Sequence, residues 1–201
     1  QAAAVLNVAP SLPITTARQR FSHIGAGPTL ALPATAAAKM RSWHRGQLVL
    51  VREDPQGRVL DATRVQHGGA LDALYAKAET ANDLGVTVQA RRTGFALWAP
   101  TAQRVALCVY RGSNAPAQQL LPMRRDETTG LWRAALPRDL SGAYYRYLVD
   151  GIVPGQGLVR NLVTDPYSVS LSADSQRSYI ADLNAANLKP AGWSQDKAPQ
   201  R

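Results

Sequence analysis

The 201-residue sequence is poor in cysteine, in long apolar runs and in acidic residues, and each shortage narrows the possible functions. The one cysteine, Cys108, excludes an internal disulfide. No run of about 20 apolar residues occurs, so we expect no transmembrane helix and no membrane partner. The opening Gln1–Val5 has neither a basic start nor a long apolar core, which argues against a signal peptide. These features favour a cytoplasmic over a secreted location.

Carboxylates are outnumbered by cations. The sequence has 14 Asp and Glu against 23 Lys and Arg, which gives a formal net charge of +9. Apart from the doublets Arg91-Arg92 and Arg124-Arg125, the arginines are spread along the chain. Nucleic-acid-binding proteins usually cluster their charge on one face or in a tail. The charge therefore predicts a basic surface and no nucleic-acid partner.

The residue types of a catalytic centre are also sparse. His23, His44 and His67 have no metal-ligand or triad spacing, and there is no glycine-rich phosphate loop. Cys108 lies inside a strand pattern, which favours a small buried core residue over a reactive thiol. Glycoside hydrolysis needs two carboxylates across a cleft, whereas most acidic residues of the second half lie in predicted turns. We expect no catalytic residue, no metal site and no cofactor in these residues.

The second half of the sequence does contain a regular strand pattern. In Gly94–Tyr110, apolar residues alternate on both sides of a Pro-containing segment, which predicts two strands joined by a tight polar turn. Turn signals include Ser141-Gly142 and Asp150-Gly151. Seven strands are predicted: Val86–Gln89, Gly94–Trp98, Arg104–Tyr110, Gln119–Met123, Leu131–Leu136, Tyr144–Val149 and Gly157–Leu162. This spacing predicts an all-β, immunoglobulin-like antiparallel β-sandwich.

The first half of the sequence is β-rich, but its pattern predicts only part of a domain. Gln47–Arg52 and Arg58–Val65 predict a hairpin around a Pro-Gly turn. Residues 69–83 predict one amphipathic helix, whose apolar face carries Leu71, Leu74, Tyr75 and Ala78. We predict a partial β-domain over residues 1–83, the β-sandwich over 84–184 and a linker over 185–201.

The aromatic-rich strand Tyr144–Val149 is the candidate for sugar binding. Alternation places Tyr144 and Arg146 on one face and Tyr145 and Tyr147 on the other, which we predict to face the core. An aromatic ring and an arginine are groups that grip carbohydrate, so Tyr144 and Arg146 are candidate carbohydrate-binding residues. Packing against another domain is the alternative use of the same face. Trp98 and Trp132 lie in alternating strands, so we interpret them as core or interface residues, with stacking on sugar as the alternative. Trp193 is predicted to dock on a neighbouring domain.

Several segments, taken in order, resemble a known family. They are GFALWAPTAQ (94–103), YYRYLVDG (144–151), TDPYSVSLS (164–172) and LKPAGW (188–193). Together they resemble the family 48 carbohydrate-binding module of pullulanase-type debranching enzymes and limit dextrinases. QLVLV (47–51) and GRVLDAT (57–63) are similar to the end of the N-terminal β-domain that precedes this module.

The resemblance implies a parent enzyme that hydrolyses α-1,6-glucosidic links in pullulan, starch, glycogen or limit dextrins. Its (β/α)8 barrel of glycoside hydrolase family 13, with an Asp nucleophile and a Glu acid/base, would begin beyond Arg201. The present residues would then be a non-catalytic N-terminal fragment, a scaffold for the barrel and a weak α-glucan binder.

Glycogen-binding members of the module family hold glucan with two tryptophans and a lysine. Arg146 corresponds to that lysine, and Val153 stands where one tryptophan would, which favours the scaffold role. The alternatives are an autonomous α-glucan-binding module or a partner-binding sandwich unrelated to glucans.

Overall fold

Strands make up most of the regular structure, as the period-two alternation predicts. A computed structural model describes residues 3–9, 23, 27–66 and 68–197. The chain divides into two compact units, Gln1–His44 and Arg45–Arg201.

The first unit is small and contains short elements. Strand β1 (Asn7–Val8) pairs antiparallel with β2 (Leu30–Ala31). Pro33 precedes helix α1 (Ala34–Ala37), and helix α2 (Met40–Trp43) follows.

The second unit begins with the predicted hairpin. Strands β3 (Val49–Glu53) and β4 (Val59–Arg64) pair antiparallel, and most of their side chains are exposed. The Asp54 carboxylate accepts hydrogen bonds from the backbone N–H groups of Gln56 and Arg58 and so shapes the turn. Gly57 adopts φ +78°, a left-handed conformation that glycine reaches without steric cost.

The predicted helix over residues 69–83 is shorter than expected. Helix α3 spans Gly68–Leu74, and a 3-10 turn over Ala76–Thr80 follows it. Between them Tyr75 leaves helical geometry, at φ −119° and ψ 24°, and its side chain is fully buried. The predicted apolar face is correct, but the tertiary contacts of Tyr75 interrupt the helix, because a seven-residue helix has little stability of its own.

Tyr75 is held by an arginine of the sandwich. The Arg125 Nη2 donates to the Tyr75 hydroxyl at 2.8 Å, and the guanidinium carbon of Arg125 lies 5.9 Å from the centre of the Tyr75 ring. Arg125 Nη2 also donates to the carbonyl of Pro100 at 3.2 Å. Tyr75 therefore helps to anchor the segment before the sandwich to it.

Tyr75→Phe is expected to lower the free energy of unfolding by about 1–2 kcal/mol, because it removes a hydrogen bond from a charged donor and keeps the buried ring. Chemical denaturation measures the loss. Tyr179→Phe is the matched control, since the Tyr179 hydroxyl makes no hydrogen bond within the described residues. Equal losses in the two variants would contradict the anchoring role of Tyr75.

Between residues 85 and 197, the described part of the second unit contains nine strands. They are β5 (Gly85–Gln89), β6 (Arg92–Trp98), β7 (Arg104–Tyr110), β8 (Ala117–Pro122), β9 (Arg124–Arg125), β10 (Leu131–Leu136), β11 (Tyr144–Val153), β12 (Gly157–Val163) and β13 (Ser178–Tyr179). Short 3-10 turns lie at Ala173–Ser175, Ala186–Leu188 and Trp193–Gln195. Sheet 1 has the order β5-β6-β10-β9, and sheet 2 has the order β12-β11-β7-β8 with β13 added beside β11. The antiparallel, immunoglobulin-like β-sandwich is confirmed.

The two strands of Gly94–Tyr110 are present, but they are not hairpin partners. β6 pairs with β5 and β10 in sheet 1, whereas β7 pairs with β8 and β11 in sheet 2. The Pro-containing turn therefore carries the chain from one sheet to the other. Each strand buries one face in the common core, so their alternation looks the same as that of a hairpin.

The core between the sheets is rich in aromatic residues. Tyr145 and Tyr147 are fully buried, as predicted, and their ring centres lie 5.6 Å apart in an edge-to-face arrangement. The Phe95 ring meets Tyr145 at 5.1 Å. Trp132 is buried, and its indole N–H donates to the carbonyl of Ala99 at 2.9 Å. Cys108 is buried, as expected, but it is not a core residue, because it pairs with Arg146 on the outward side of sheet 2.

The predicted turn at Asp150-Gly151 is wrong, because both residues lie inside β11. The hairpin turn comes later, over residues 154–156. The buried Asp150 carboxylate accepts from Arg160 at 2.7 and 2.9 Å and from Arg104 at 2.9 Å, since both arginines pair with it across the sheet. The hydrogen bonds from Arg160 hold the pKa of Asp150 below its ordinary value despite some desolvation.

Candidate functional site

The candidate residues Tyr144 and Arg146 lie together on the outward side of sheet 2. Paired residues of neighbouring strands share a face of the sheet. Tyr144 pairs with Tyr110 and Tyr179, and Arg146 pairs with Cys108, which in turn pairs with Leu120. Leu148 pairs with Ala106 and Leu162 in the next row. We call these residues the outer face: Tyr110, Tyr144, Tyr179, Cys108, Arg146, Leu120, Ala106, Leu148 and Leu162.

One end of the outer face is a row of three tyrosines. Tyr144 is half-buried, and its ring centre lies 5.2 Å from that of Tyr179 at a tilted angle. Tyr110 is nearly covered, because the guanidinium of Arg177 lies 3.8 Å above its ring. Arg177 also donates to the carbonyls of Gly112 and Ala115, at 2.6 and 2.7 Å. Tyr144 and Tyr179 are thus the rings of this row that keep contact with solvent.

Arg146 is partly engaged within the protein. Its Nη2 donates to the carbonyl of Leu162 at 2.5 Å, while its buried Nε has no hydrogen-bond partner among the described residues. Its position beside Cys108 helps to cover that thiol. Burial raises the pKa of Cys108, an effect that the charge of Arg146 opposes in part.

The remainder of the outer face is aliphatic and open to solvent. Leu120 is 58% exposed and Leu162 is 39% exposed. Leu158, four residues before Leu162 on the same face of β12, is 55% exposed. Leu158 and Leu162 lie at one edge of sheet 2 and Leu120 at the other, so exposed apolar side chains flank this side of the sheet.

Several carboxylates of the second unit have structural partners. Asp126 accepts from the backbone N–H of Thr128, and Asp139 accepts from that of Ser141, which fits their predicted turn positions. Within the described part of the chain, no group of three or more His, Cys, Asp or Glu could hold a metal ion. His67 lies outside that part. None of the described helices is long and apolar enough to cross a membrane.

Sequence reasoning missed several members of the outer face. Alternation places Tyr144 with Arg146, but it does not show that Tyr179 and Leu162 come beside them. Those neighbours depend on which strands pair and in which register. Arg177 carried no signal in the sequence, because it reaches Tyr110 from a segment without regular strand structure.

The strand order and the motif-bearing strands together define an immunoglobulin-like carbohydrate-binding module. Residues 83–168 match the model of carbohydrate-binding module 48, the isoamylase N-terminal domain, and residues 2–73 match the pullulanase N2 domain. The chain is therefore homologous to the N-terminal, non-catalytic region of pullulanases, which are debranching enzymes of glycoside hydrolase family 13.

The similarity extends over nearly the whole chain. It is 36% identical to the pullulanase of Klebsiella pneumoniae over 185 residues, which cover 90% of this chain and 17% of that protein. It is 30% identical to the chloroplastic pullulanase 1 of Arabidopsis thaliana, over 90% of this chain and 18% of that protein. The crystal structure of apo pullulanase from Klebsiella pneumoniae superposes with a TM-score of 0.86 at 33% identity, over 96% of this chain and 20% of that one. The chain thus spans about a fifth of its relatives' length.

Proposed function

We propose that these residues belong to a longer pullulanase-type polypeptide that hydrolyses α-1,6-glucosidic links in α-glucans. Within it, residues 1–83 form part of the N-terminal β-domain, 84–184 the carbohydrate-binding module and 185–201 the linker to a catalytic (β/α)8 barrel. The main role of this region is that of a scaffold against the barrel, and glucan binding is secondary.

The observation that carries the scaffold role is the exposed aliphatic surface of the module. Leu120, Leu158 and Leu162 project from the outward side of sheet 2. Their side chains have no aromatic face to stack on a pyranose ring, whereas they suit the apolar contacts of a domain interface.

A second segment supports the same role. In the segment 167–171, Tyr167, Val169 and Leu171 are exposed at alternate positions, while Ser168 points inward and its hydroxyl bonds to the Ser178 hydroxyl at 2.6 Å. This polar-in, apolar-out order is the reverse of an ordinary half-buried strand. It fits a segment whose apolar side meets another domain. Trp193, at 58% exposure, fits the same interpretation.

Glucan binding at Tyr144 and Arg146 is the second candidate. It is favoured by the half-open ring of Tyr144 beside Tyr179, and by the partly exposed Arg146 on the same face of the strand. A sugar could stack on the ring and accept from the guanidinium.

Binding to insoluble starch and titration with β-cyclodextrin separate the two roles. For a scaffold with secondary glucan binding, we expect binding by the 201-residue chain that is too weak to saturate over the titrated range. Saturable binding that falls about tenfold or more in Tyr144→Ala and Arg146→Ala would establish glucan binding as the main role instead. Tyr167→Ala is the matched control, because it removes an exposed tyrosine away from the outer face.

The genomic sequence beyond codon 201 tests the parent enzyme. We expect it to encode a barrel with an Asp nucleophile and a Glu acid/base. A stop codon at that point would contradict the scaffold role and favour a partner-binding sandwich unrelated to glucans.

A further inference from the structure

The outward side of sheet 1, opposite to the outer face, holds an open cleft. Its volume is about 540 Å³, within the range of roughly 300–1,000 Å³ that ligand sites occupy. Small residues of neighbouring strands form its floor, where Gly94 pairs with Ala135 and with Thr87. A Cβ on Gly94 would come no closer than 4.0 Å to its nearest neighbour, the carbonyl of Thr87, so the space above is open. We call this the sheet 1 cleft.

Three arginines line the sheet 1 cleft, and two of them are uncompensated. Arg133 forms a bidentate pair with Asp83, with Nη2–Oδ1 and Nε–Oδ2 distances of 2.8 and 3.0 Å, so this pair is neutral. Arg92 and Arg124 are exposed, and their guanidinium groups make no hydrogen bond or ion pair within the described residues. The side chains that line the cleft therefore carry a net charge of +2.

The chemistry of the lining favours an anionic sugar over a neutral one. Guanidinium groups bind phosphate with paired, charge-assisted hydrogen bonds. The Thr87 hydroxyl and the Gln89 amide, which also line the cleft, can donate to and accept from sugar hydroxyls. The one aromatic residue of the lining, Phe95, is only 2% exposed and offers no ring for stacking a neutral pyranose.

We propose that the sheet 1 cleft binds a phosphate monoester carried on a sugar, such as a phosphorylated glucose unit of an α-glucan. A phosphate monoester carries a charge of about −1.5 to −2 at neutral pH, which matches the two free guanidiniums. Arg92 and Arg124 hold the phosphate, and Thr87 and Gln89 bind the sugar hydroxyls. This site is separate from Tyr144 and Arg146. Its test is therefore independent of glucan binding on the outer face.

Titration of the 201-residue chain, followed by isothermal calorimetry and by amide chemical shifts, tests the proposal. The probes are glucose 6-phosphate, glucose and inorganic phosphate, with an acidic peptide of alternating Glu and Ala as the protein-like alternative. We expect saturable binding of glucose 6-phosphate, with shifts at Thr87, Gly94 and Ala135 and weaker binding as the salt concentration rises. Glucose should not bind, and inorganic phosphate should bind more weakly.

Arg92→Ala and Arg124→Ala are each expected to weaken glucose 6-phosphate binding about tenfold or more. Arg91→Ala is the matched control, since it removes the same charge one residue away, from a side chain that does not line the cleft. Equal losses in Arg91→Ala and Arg92→Ala would show attraction by net charge alone and overturn the proposal. If inorganic phosphate bound with the same affinity as glucose 6-phosphate, recognition of the sugar would be overturned. If the acidic peptide bound more tightly than glucose 6-phosphate, the cleft would be assigned to a protein partner.

Discussion

Replacing Asp165 with alanine is expected to lower the free energy of unfolding by about 3–5 kcal/mol, because it leaves several buried donors without an acceptor. Asp165 is only 4% exposed. Its Oδ2 accepts from the hydroxyls of Tyr145 and Tyr147, at 2.6 and 3.2 Å, and its Oδ1 accepts from the backbone N–H of Tyr167 at 2.8 Å. One carboxylate therefore satisfies both tyrosine hydroxyls of the core and fixes the segment after β12.

Two further variants make this expectation specific. Asp165→Asn keeps an oxygen acceptor and the shape of the side chain, so its loss is expected to be smaller, about 1–3 kcal/mol. Asp196→Ala replaces an exposed aspartate with an ordinary extended backbone, at φ −67° and ψ 125°, and is expected to change stability by less than about 0.5 kcal/mol. Urea denaturation measures all three. A loss in Asp165→Ala no larger than that in Asp196→Ala would contradict the role of the buried carboxylate.

The same carboxylate predicts a dependence on pH. Desolvation raises the pKa of Asp165, and the hydrogen bonds from Tyr145, Tyr167 and Tyr147 offset this only in part. Between the ordinary carboxyl pKa and the raised one, the folded chain binds more protons at this site than the unfolded chain. The contribution of Asp165 to the free energy of unfolding therefore falls as pH rises through that interval and stays constant above it.

Denaturation of the unsubstituted chain and of Asp165→Asn from about pH 4 to pH 7 measures this contribution. We expect the free energy of unfolding of the unsubstituted chain to fall relative to that of Asp165→Asn as the pH rises. An unchanged difference across the range would show that the pKa of Asp165 is the same in the folded and unfolded chain.

Gly130→Ala is expected to be the second strongly destabilising substitution, with a loss of about 3–4 kcal/mol. Gly130 has φ +69°, and a Cβ there would lie 2.7 Å from the Cβ and 3.1 Å from the Cα of Pro100. The same Cβ would lie 3.1 Å from Cδ1 of Tyr75. Since Pro100 is rigid and Tyr75 is buried, neither neighbour can move aside without disturbing the core.

Gly155→Ala is the matched control for this substitution. Gly155 also has a left-handed φ, +83°, but a Cβ there would meet nothing within 4 Å. Its expected loss is therefore the backbone strain alone, about 1–2 kcal/mol. Thermal denaturation of both variants measures the difference, which reports the steric overlap at Gly130. Equal losses would mean that the region around Pro100 relaxes freely.

The sequence could predict which side chains of a strand share a face, but not which strands lie side by side. Alternation correctly places Tyr145 and Tyr147 in the core and separates them from Tyr144 and Arg146. It gives no register between strands, because any pairing that buries the same faces satisfies the alternation equally well. For this reason Tyr179 and Leu162 were not expected beside the candidate site, whose role in binding stays a prediction.

The role of Asp165 is a second feature that the sequence alone does not reveal. The motif TDPYSVSLS, with its aspartate, was recognised from the sequence as typical of the family. Its physical role could not be predicted, because the two tyrosines that it binds lie about 20 residues earlier in β11. Asp150 was assigned to a turn for a similar reason, since the local preference of Asp for turns is outweighed by its two arginine partners across the sheet.

Local alternation, turn chemistry and motif order are enough to predict the all-β class, the position of most strands and the relationship to the pullulanase N-terminal region. The crossing between sheets at the Pro-containing turn and the end of the helix at Tyr75 become apparent only in three dimensions. Strand pairing also brings Arg92 and Arg124 to the lining of one cleft and Arg146 to the carbonyl of Leu162. These features depend on contacts between residues far apart in the chain, and such contacts are selected by the packing of the whole core rather than by any local segment.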